Sequence, residues 1–252
     1  MGRVVAIIQA RMGSSRLPGK SMMDLAGKPL IHRVLERITQ AKLLDEVVLA
    51  IPDTSENRVL AEVGEECGVK VFSGSEGNLL DRYYKAALES DAEFIVRIPA
   101  DNATPYSVEI DKIVEHHLGL ERAGFTSNLA QIFNSGYPDG IGAEVFDFSL
   151  LEESWMRETQ PDKLEHIHLN FFDYSSQQGV DEKWCPISTI KCPPEYARPD
   201  VVLDVNTQVQ YEYMSKLYAD LYPKNPNFGI LEIIEWHDAQ LAKLALERSQ
   251  VD

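Results

Sequence analysis

The loop that follows the apolar run Val4–Ile8 combines a flexible backbone with positive charge. It contains two glycines, two serines and three cations, namely Gly13, Gly19, Ser14, Ser15, Arg11, Arg16 and Lys20. Glycine allows backbone N–H groups to converge on an anion. Arginine side chains match phosphate oxygens in a forked geometry, and lysine adds a compact charge. This pattern predicts a loop that binds a polyphosphate at the end of a buried strand.

Oxygen-bearing side chains end two other apolar runs. Asp101 and Asn102 follow the run Phe94–Ile98, and Asn206 follows the run Val201–Val205. Carboxylate and amide oxygens at such positions are typical ligands of Mg²⁺ bound to a triphosphate. Taken alone, each of these residues is at least as typical of a turn or a helix cap. The expected location of Asp101, at the same sheet edge as the cationic loop, favours a metal ligand.

The first hundred residues alternate between apolar runs and amphipathic segments. The runs predict four strands, at Val4–Ile8, Val47–Ile51, Val69–Phe72 and Phe94–Ile98. The other segments predict a helix that starts near Pro29, one through Val59–Val63, and two more at Leu79–Leu88 and Ile110–Leu118. This βαβα order is typical of a mostly parallel, doubly wound sheet. Ligands of such sheets bind beyond the carboxyl ends of the strands, so one site is expected there.

The pattern after residue 120 is less regular. It predicts strands at Ala143–Phe146, Trp184–Ile190 (antiparallel) and Val201–Val205. It predicts helices at Leu150–Met156, Lys163–Asp173, Val209–Tyr222 and Ile230–Leu246. Since there is no internal repeat or long linker, residues 1–252 are expected to form one α/β domain. Its nucleotide-binding half would cover about residues 1–120, and its acceptor-binding half about residues 121–252.

The overall charge limits the class of partner. The 252 residues carry a formal net charge of -16, which argues against a nucleic-acid partner because nucleic acids require basic surfaces. A triphosphate ligand would therefore depend on local cations and a metal ion. The sequence has no long apolar span, so no membrane partner is expected. Three cysteines without a CxxC pair, and an N-terminus without a signal pattern, predict a cytoplasmic protein.

The cationic loop is similar to a P-loop but departs from it in two ways. Five residues separate Gly13 from Gly19, where a P-loop has four. Residues 22–28 intervene between Ser21 and Pro29, whereas the lysine and serine of a P-loop open a helix directly. A P-loop ATPase is therefore disfavoured. A merely solvated basic loop is disfavoured too, because the cations and glycines gather directly after a buried strand.

Polar residues elsewhere are candidates for substrate contacts. The segment Glu165–His168 does not suit metal ligation, because residues two apart do not share a helix face, and polar contacts to a substrate are favoured instead. Asp139 and Glu144 flank a glycine-rich turn and are candidates for contacts to hydroxyls or amines, with ordinary turn chemistry nearly as well supported. The loop Gly74–Asn78, ahead of a helix bearing Arg82, is a candidate for reading a base edge or for capping that helix.

Together these residues resemble the cytidylyltransferase family, especially the spore-coat polysaccharide F type and the related acylneuraminate and 3-deoxy-manno-octulosonate cytidylyltransferases. The segment Ile8–Lys20 carries the resemblance most specifically. Further matching segments are Gly27–Leu30, Gly74–Glu76, Leu80–Tyr83, Arg97–Asn102, Tyr137–Gly140, Glu144–Phe146 and Glu165-His166. The resemblance is firm to about residue 105 and looser beyond it.

The resemblance implies a three-layer nucleotide-diphospho-sugar transferase fold (GT-A or Rossmann-like) around a mostly parallel sheet. It implies that Arg11, Arg16 and Lys20 hold the triphosphate and act in catalysis. It implies a Mg²⁺ ion on Asp101, with Asn206 as the second ligand. Nucleotide contacts are expected from Ala10, Arg11, Gly13, Ser14, Lys20, Ser73, Asn78, Arg82 and Ala100. Acceptor contacts are expected from Asn102, Asp139, Glu144, Glu165 and His166.

The activity implied by this resemblance transfers CMP from CTP to an acidic sugar or related surface-glycan precursor and releases pyrophosphate. The likeness also suggests a homodimer. Three alternatives stay open: transfer to a phosphate or phosphonate acceptor, nucleotide binding without transfer, and use of a nucleotide-sugar as in a glycosyltransferase. Two departures from the family pattern bear on them. Ala103 replaces a usual proline, and Asn206 replaces a usual carboxylate, so that it retains an oxygen ligand but loses the charge.

Overall fold

One mixed sheet forms the centre of the molecule. The structure, a computed structural model, describes residues 2–129 and 132–249. The strands of this sheet in the described residues are β1 (Val4–Gln9), β2 (Glu46–Pro52), β3 (Lys70–Gly74), β4 (Phe94–Pro99), β5 (Phe125–Ser127), β6 (Glu144–Asp147) and β7 (Ile187–Ser188). Their order across the sheet is β7-β5-β6-β4-β1-β2-β3. The strands β1 to β4 run parallel, β7 is parallel to β5, and β6 is antiparallel to both β4 and β5.

Helices cover both faces of this sheet. They are α1 (Leu30–Ile38), α2 (Arg58–Glu66), α3 (Leu79–Glu89), α4 (Ser107–Leu118), α5 (Phe148–Arg157), α6 (Pro161–Glu165), α7 (Gln208–Leu221) and α8 (Ile230–Ser249). Successive residues of a strand point to opposite faces. Ala6 and Ile8 therefore pack in one core with α1, α2, α4 and α7, whereas Val5 and Ile7 pack in another with α3 and α5. Burial on both faces explains the unbroken apolar run and confirms the three-layer α/β fold.

The regular first half follows its sequence pattern closely. The four predicted strands occur with ends that differ from the prediction by one or two residues, and the helix predicted at Leu79–Leu88 is α3. The start of α4 lies three residues earlier than predicted, at Ser107. Amphipathic helices between parallel strands leave few alternatives, because each must bury its apolar stripe on the sheet.

Three predictions for the second half were wrong. The segment Val201–Val205 is not a strand of the sheet; it makes isolated bridges to Asn102 and Asp139. Alternate residues of this segment are buried, because it packs over loops at the sheet edge instead of between two strands. In Trp184–Ile190 only the two residues of β7 pair, and they pair parallel to β5.

The predicted helix Lys163–Asp173 is broken. The helix α6 ends at Glu165, and a 3₁₀ turn follows at Ile167–Asn170. The Asn170 side chain donates to the carbonyl oxygens of Lys163 and Ile167, both at 3.0 Å, and so stabilises the interruption. The short strand β5 was not predicted.

No helix within residues 2–129 and 132–249 is both long enough and apolar enough to cross a bilayer. The division into a nucleotide-binding and an acceptor-binding half stays a prediction.

Candidate active site

A cleft of about 390 Å³ lies beyond the carboxyl ends of β1 and β4. Its lining includes many of the residues predicted from the sequence, namely Ala10, Arg11, Ser14, Arg16, Lys20, Arg82, Ala100, Asp101, Glu165, His166 and Asn206. The cationic loop and Asp101 therefore share one cavity. This placement agrees with the expectation that ligands of parallel sheets bind beyond the strand ends.

The backbone of the cationic loop is held in a defined turn. The amide nitrogen of Met12 donates to Asn57 Oδ1 at 2.8 Å, and that of Gly19 donates to the carbonyl oxygen of Met12 at 3.0 Å. Gly19 has a φ of 71°, a conformation that favours glycine, and it precedes a single 3₁₀ turn at Lys20–Met22. The loop thus differs from a P-loop, whose lysine opens an α-helix.

The Lys20 ammonium lies in a ring of oxygens. Its Nζ donates to Asp101 Oδ2 at 2.9 Å, to the carbonyl oxygen of Val205 at 2.8 Å and to Asn206 Oδ1 at 3.0 Å. The Lys20 side chain is only 14% exposed. The loop at the end of β1, the end of β4 and the segment before α7 therefore meet at a single position that favours a cation.

Two arginines of the loop also bind across the cleft. Arg11 Nη2 lies 2.9 Å from Glu165 Oε1, and Arg16 Nη2 donates to Asn206 Oδ1 at 2.7 Å. The partners lie 154 and 190 residues away in sequence, so only the tertiary structure brings them together. Because these contacts are exposed, an anionic ligand of higher charge can displace them.

The donor atoms around Lys20 suit a hard divalent cation. Asp101 and Asn206 supply a carboxylate and an amide oxygen, and the lysine ammonium already demonstrates that a cation fits between them. Among the described residues, no group of three or more His, Cys, Asp or Glu side chains is arranged to hold a metal. Mg²⁺ often binds through one or two protein oxygens plus substrate phosphates, so two ligands suffice. The identity of the metal stays a prediction.

Arg82 is a buried cation that faces this cleft. It is 3% exposed and donates to the carbonyl oxygen of Ser75 at 3.0 Å. Within residues 2–129 and 132–249 no carboxylate forms an ion pair with it, and its Nε has no hydrogen-bond partner. Burial, with a smaller contribution from nearby Arg11, lowers the pKa of Arg82 to about 10. An unpaired buried guanidinium is costly, so this position favours an anionic ligand.

The sequence reasoning missed a buried ion pair below the cleft. Arg97 of β4 lines the cleft and donates to Glu144 Oε2 at 2.6 Å, with Glu144 opposite it on β6. The Tyr174 hydroxyl donates to Glu144 Oε1 at 3.0 Å. Burial lowers the pKa of neighbouring His168 to about 4, so this ring is neutral. A charged residue inside the apolar run Phe94–Ile98 was the available signal.

Gln9 is a second missed residue of the cleft lining. It ends β1, and its side-chain oxygen accepts a hydrogen bond from the Tyr83 hydroxyl, which also contacts the carbonyl oxygen of Ile7. A polar residue directly after an apolar run was the signal in the sequence.

Several predicted site residues lie outside the cleft lining. These are Gly13, Ser73, Asn78, Asn102, Asp139 and Glu144. Asn78 caps α3, because its side-chain oxygen accepts from the amide nitrogen of Asp81 at 2.8 Å. Glu144 is fully buried against Arg97, and Asn102 is 4% exposed. Direct contacts from the Glu144 and Asn102 side chains to a ligand therefore require rearrangement.

Asp139 belongs to a group of acids behind the cleft. Burial raises the pKa of Asp139 to about 6, and the nearby charges of Asp204 and Asp101 add to the effect. Its role as an acceptor contact stays a prediction.

The comparisons with known proteins agree on the chemistry that this geometry suggests. A family model described as cytidylyltransferase matches residues 5–192. The spore coat polysaccharide biosynthesis protein SpsF of Bacillus subtilis is 29% identical over 239 residues, which cover 93% of each chain. A 3-deoxy-manno-octulosonate cytidylyltransferase of Syntrophobacter fumaroxidans is 31% identical over 189 residues, covering 69% of this chain and 74% of the relative.

A solved structure supports the same assignment. The cytidylyltransferase from Leptospira borgpetersenii superposes with a TM-score of 0.84 at 25% identity, and the match covers 96% of both chains. The match to the family model extends over most of the described sheet, including every strand that contributes to the cleft. The chain therefore belongs to the cytidylyltransferase family.

Proposed function

We propose that this protein is a Mg²⁺-dependent enzyme that transfers CMP from CTP to an acidic sugar or a related surface-glycan precursor. Pyrophosphate is the second product. The family relationship supports the use of a cytidine nucleotide, and the likeness to SpsF and to a 3-deoxy-manno-octulosonate cytidylyltransferase supports a sugar acceptor.

One observation carries this proposal. Arg11, Arg16, Lys20 and Arg82 face a single cleft opposite Asp101, in a chain whose net charge is -16. Such a concentration of cations suits a ligand with several negative charges, as a triphosphate has. Most hydrogen-bond partners of these cations are side chains of other residues that line the cleft. A nucleotide and its metal ion can replace these partners.

The residues have distinct roles in the proposed reaction. Arg11, Arg16 and Lys20 neutralise the β- and γ-phosphates, which leave as pyrophosphate when an acceptor oxygen attacks the α-phosphorus. Asp101 and Asn206 would hold the divalent ion, which supplies charge neutralisation and orientation of the phosphate oxygens when it is bound. Arg82, which donates to the carbonyl oxygen of Ser75, would contact the nucleotide together with the loop Gly74–Asn78. Catalysis then rests on positioning and electrostatics, without a covalent protein intermediate.

Glu165 and His166 also line the cleft and are the proposed acceptor contacts. Glu165 binds Arg11 in the free protein, so nucleotide binding would release it toward the acceptor.

The donor is tested by thermal unfolding with each of the four nucleoside triphosphates, with and without Mg²⁺. Selective stabilisation by CTP, dependent on Mg²⁺, is the expected result. A pyrophosphate-release assay then compares 3-deoxy-manno-octulosonate, N-acylneuraminate and phosphate-bearing acceptors. Equal stabilisation by all four nucleotides contradicts the proposed donor, and release only with phosphate or phosphonate acceptors contradicts the proposed acceptor.

A further inference from the structure

The side chain of Asn206 is held from two sides. Its Oδ1 accepts hydrogen bonds from Arg16 at 2.7 Å and from Lys20 at 3.0 Å. Its Nδ2 donates to Asp204 Oδ2. Guanidinium and ammonium groups only donate, and an ionised carboxylate only accepts. The amide therefore has a single orientation that satisfies all three neighbours.

Asp204 is itself held by the start of α7. Gln210 Nε2 donates to Asp204 Oδ1 at 3.0 Å, while Gln210 Oε1 accepts from the amide nitrogen of Asn206 at 3.0 Å. Gln210 occupies the third helical position after the N-cap Thr207, the arrangement of a capping box. Here the glutamine reaches past the cap to Asn206. The start of α7 thus fixes the position of Gln210, and the Gln210 side chain in turn fixes the position of the Asp204 carboxylate.

This arrangement matters because an amide has two different ends. A carboxylate presents oxygen in either orientation, whereas a flipped asparagine presents NH₂ groups to the cations of the site. A neighbouring carboxylate that accepts from Nδ2 removes that ambiguity. Substitution of a residue that orients a ligand in this way typically lowers metal affinity or activity by about 10-fold to 100-fold.

We propose that Asp204 is a positioning residue that makes Asn206 an oxygen donor toward the cations of the triphosphate site, including the divalent ion. The inference rests on the proposed function and extends it to a residue that lies outside the cleft lining. Asp204 acts through Asn206 and not by contact with the substrate.

The test is a double-substitution cycle read out by binding. Dissociation constants for CTP in excess Mg²⁺ are measured by calorimetry for the wild type, Asp204→Asn, Asn206→Asp and the double variant. Mn²⁺ with inorganic tripolyphosphate serves as a second probe, with bound Mn²⁺ followed by electron paramagnetic resonance. Asp200→Asn is the matched control, because it removes the same charge from an exposed acid that pairs with Arg198. Thermal unfolding verifies that each variant is folded.

Asp204→Asn is expected to weaken binding about tenfold or more, as is typical for loss of an outer partner of a ligand. In the Asn206→Asp background the same substitution is expected to change binding less than about twofold or to improve it, because a carboxylate needs no orientation. An equal loss in both backgrounds, or binding by Asp204→Asn that matches the wild type, overturns the positioning role. If the wild type binds Mn²⁺-tripolyphosphate but shows no preference for CTP, the proposed donor fails while the cycle with tripolyphosphate still decides the role of Asp204.

Discussion

The cationic loop of the cleft and the buried ion pair below it differ in the exposure of their charged groups. In the loop proposed to bind the triphosphate, Arg11, Arg16 and Lys20 pair with groups that a ligand can replace. Below the cleft, Arg97 and Glu144 form a pair whose side chains are 8% and 1% exposed. The first arrangement can exchange partners, whereas the second is buried and supports the fold, with Glu144 accepting from both Arg97 and Tyr174. The comparison predicts that substitutions in the loop affect ligand binding, whereas substitutions in the buried pair affect stability.

The strongest test of this contrast is to break the buried pair. Arg97→Met leaves Glu144 buried without its cation, and we expect the free energy of unfolding to fall by about 3–5 kcal/mol. Urea denaturation measures the change. The control is Arg157→Met, which removes an exposed partner of Glu153 and should cost less than about 1 kcal/mol. Similar losses of unfolding free energy in the two variants would show that the buried Arg97–Glu144 pair does not support the fold.

Lys20 should show the opposite behaviour. Lys20→Ala is expected to reduce turnover about 100-fold to 1,000-fold, the loss typical of removing one group that stabilises developing charge. Pyrophosphate release measures turnover, and the thermal midpoint should change little. Lys28→Ala is the matched control, because Lys28 pairs with Glu66 at the surface. Activity of Lys20→Ala close to that of the wild type would remove Lys20 from the proposed mechanism.

Asp139 offers a test by pH. Its pKa in the folded protein is about 6, above the ordinary value of 3.8, so the folded state binds the proton more tightly than the unfolded state. Its contribution to stability is therefore complete below about pH 4 and is lost as the pH rises through about 6.

Asp139→Asn should accordingly stabilise the protein by about 1–2 kcal/mol at pH 8 and have little effect at pH 4. Urea denaturation at the two pH values checks this, with the exposed Asp53→Asn as control. A gain of equal size at both pH values would exclude titration of Asp139 as the cause.

The smallest expected effect concerns the contact across the cleft. Glu165→Gln removes the carboxylate that holds Arg11 in the free protein. CTP binding should then tighten by about twofold to fivefold, which corresponds to the strength of an exposed ion pair. Calorimetry in the absence of acceptor measures this, and Glu153→Gln, which alters an ion pair of α5, is the control. Weaker binding by Glu165→Gln would mean that Glu165 supports the nucleotide instead of competing with it.

The regular half of the fold could be predicted because local pattern and tertiary environment agree there. The strands β1, β2 and β4 are buried on both faces, so their sequences are apolar apart from Arg97 and the polar residues at two strand ends. The same reasoning failed in the second half, where a segment is apolar although it does not belong to the sheet. Val201–Val205 packs over loops, and the pair of residues in β7 is too short to leave a pattern.

For the site, the sequence by itself determined which kinds of side chain are present and at which edge of the sheet the site lies. The cationic loop after β1 and Asp101 after β4 had to meet, because adjacent parallel strands end side by side. The family resemblance pointed to Glu165 and Asn206 as further site residues, but only the tertiary structure decided which loop residues each of them contacts. Glu165 and Asn206 reach the loop across more than 150 residues, through segments with no regular strand pairing.

The orientation of Asn206 by Asp204 and Gln210 likewise depends on how a helix start is placed, which no periodic pattern encodes. The periodicity of a sequence shows which face of a helix or strand is buried. The direction of a hydrogen bond in a loop depends instead on the residues that are neighbours in space.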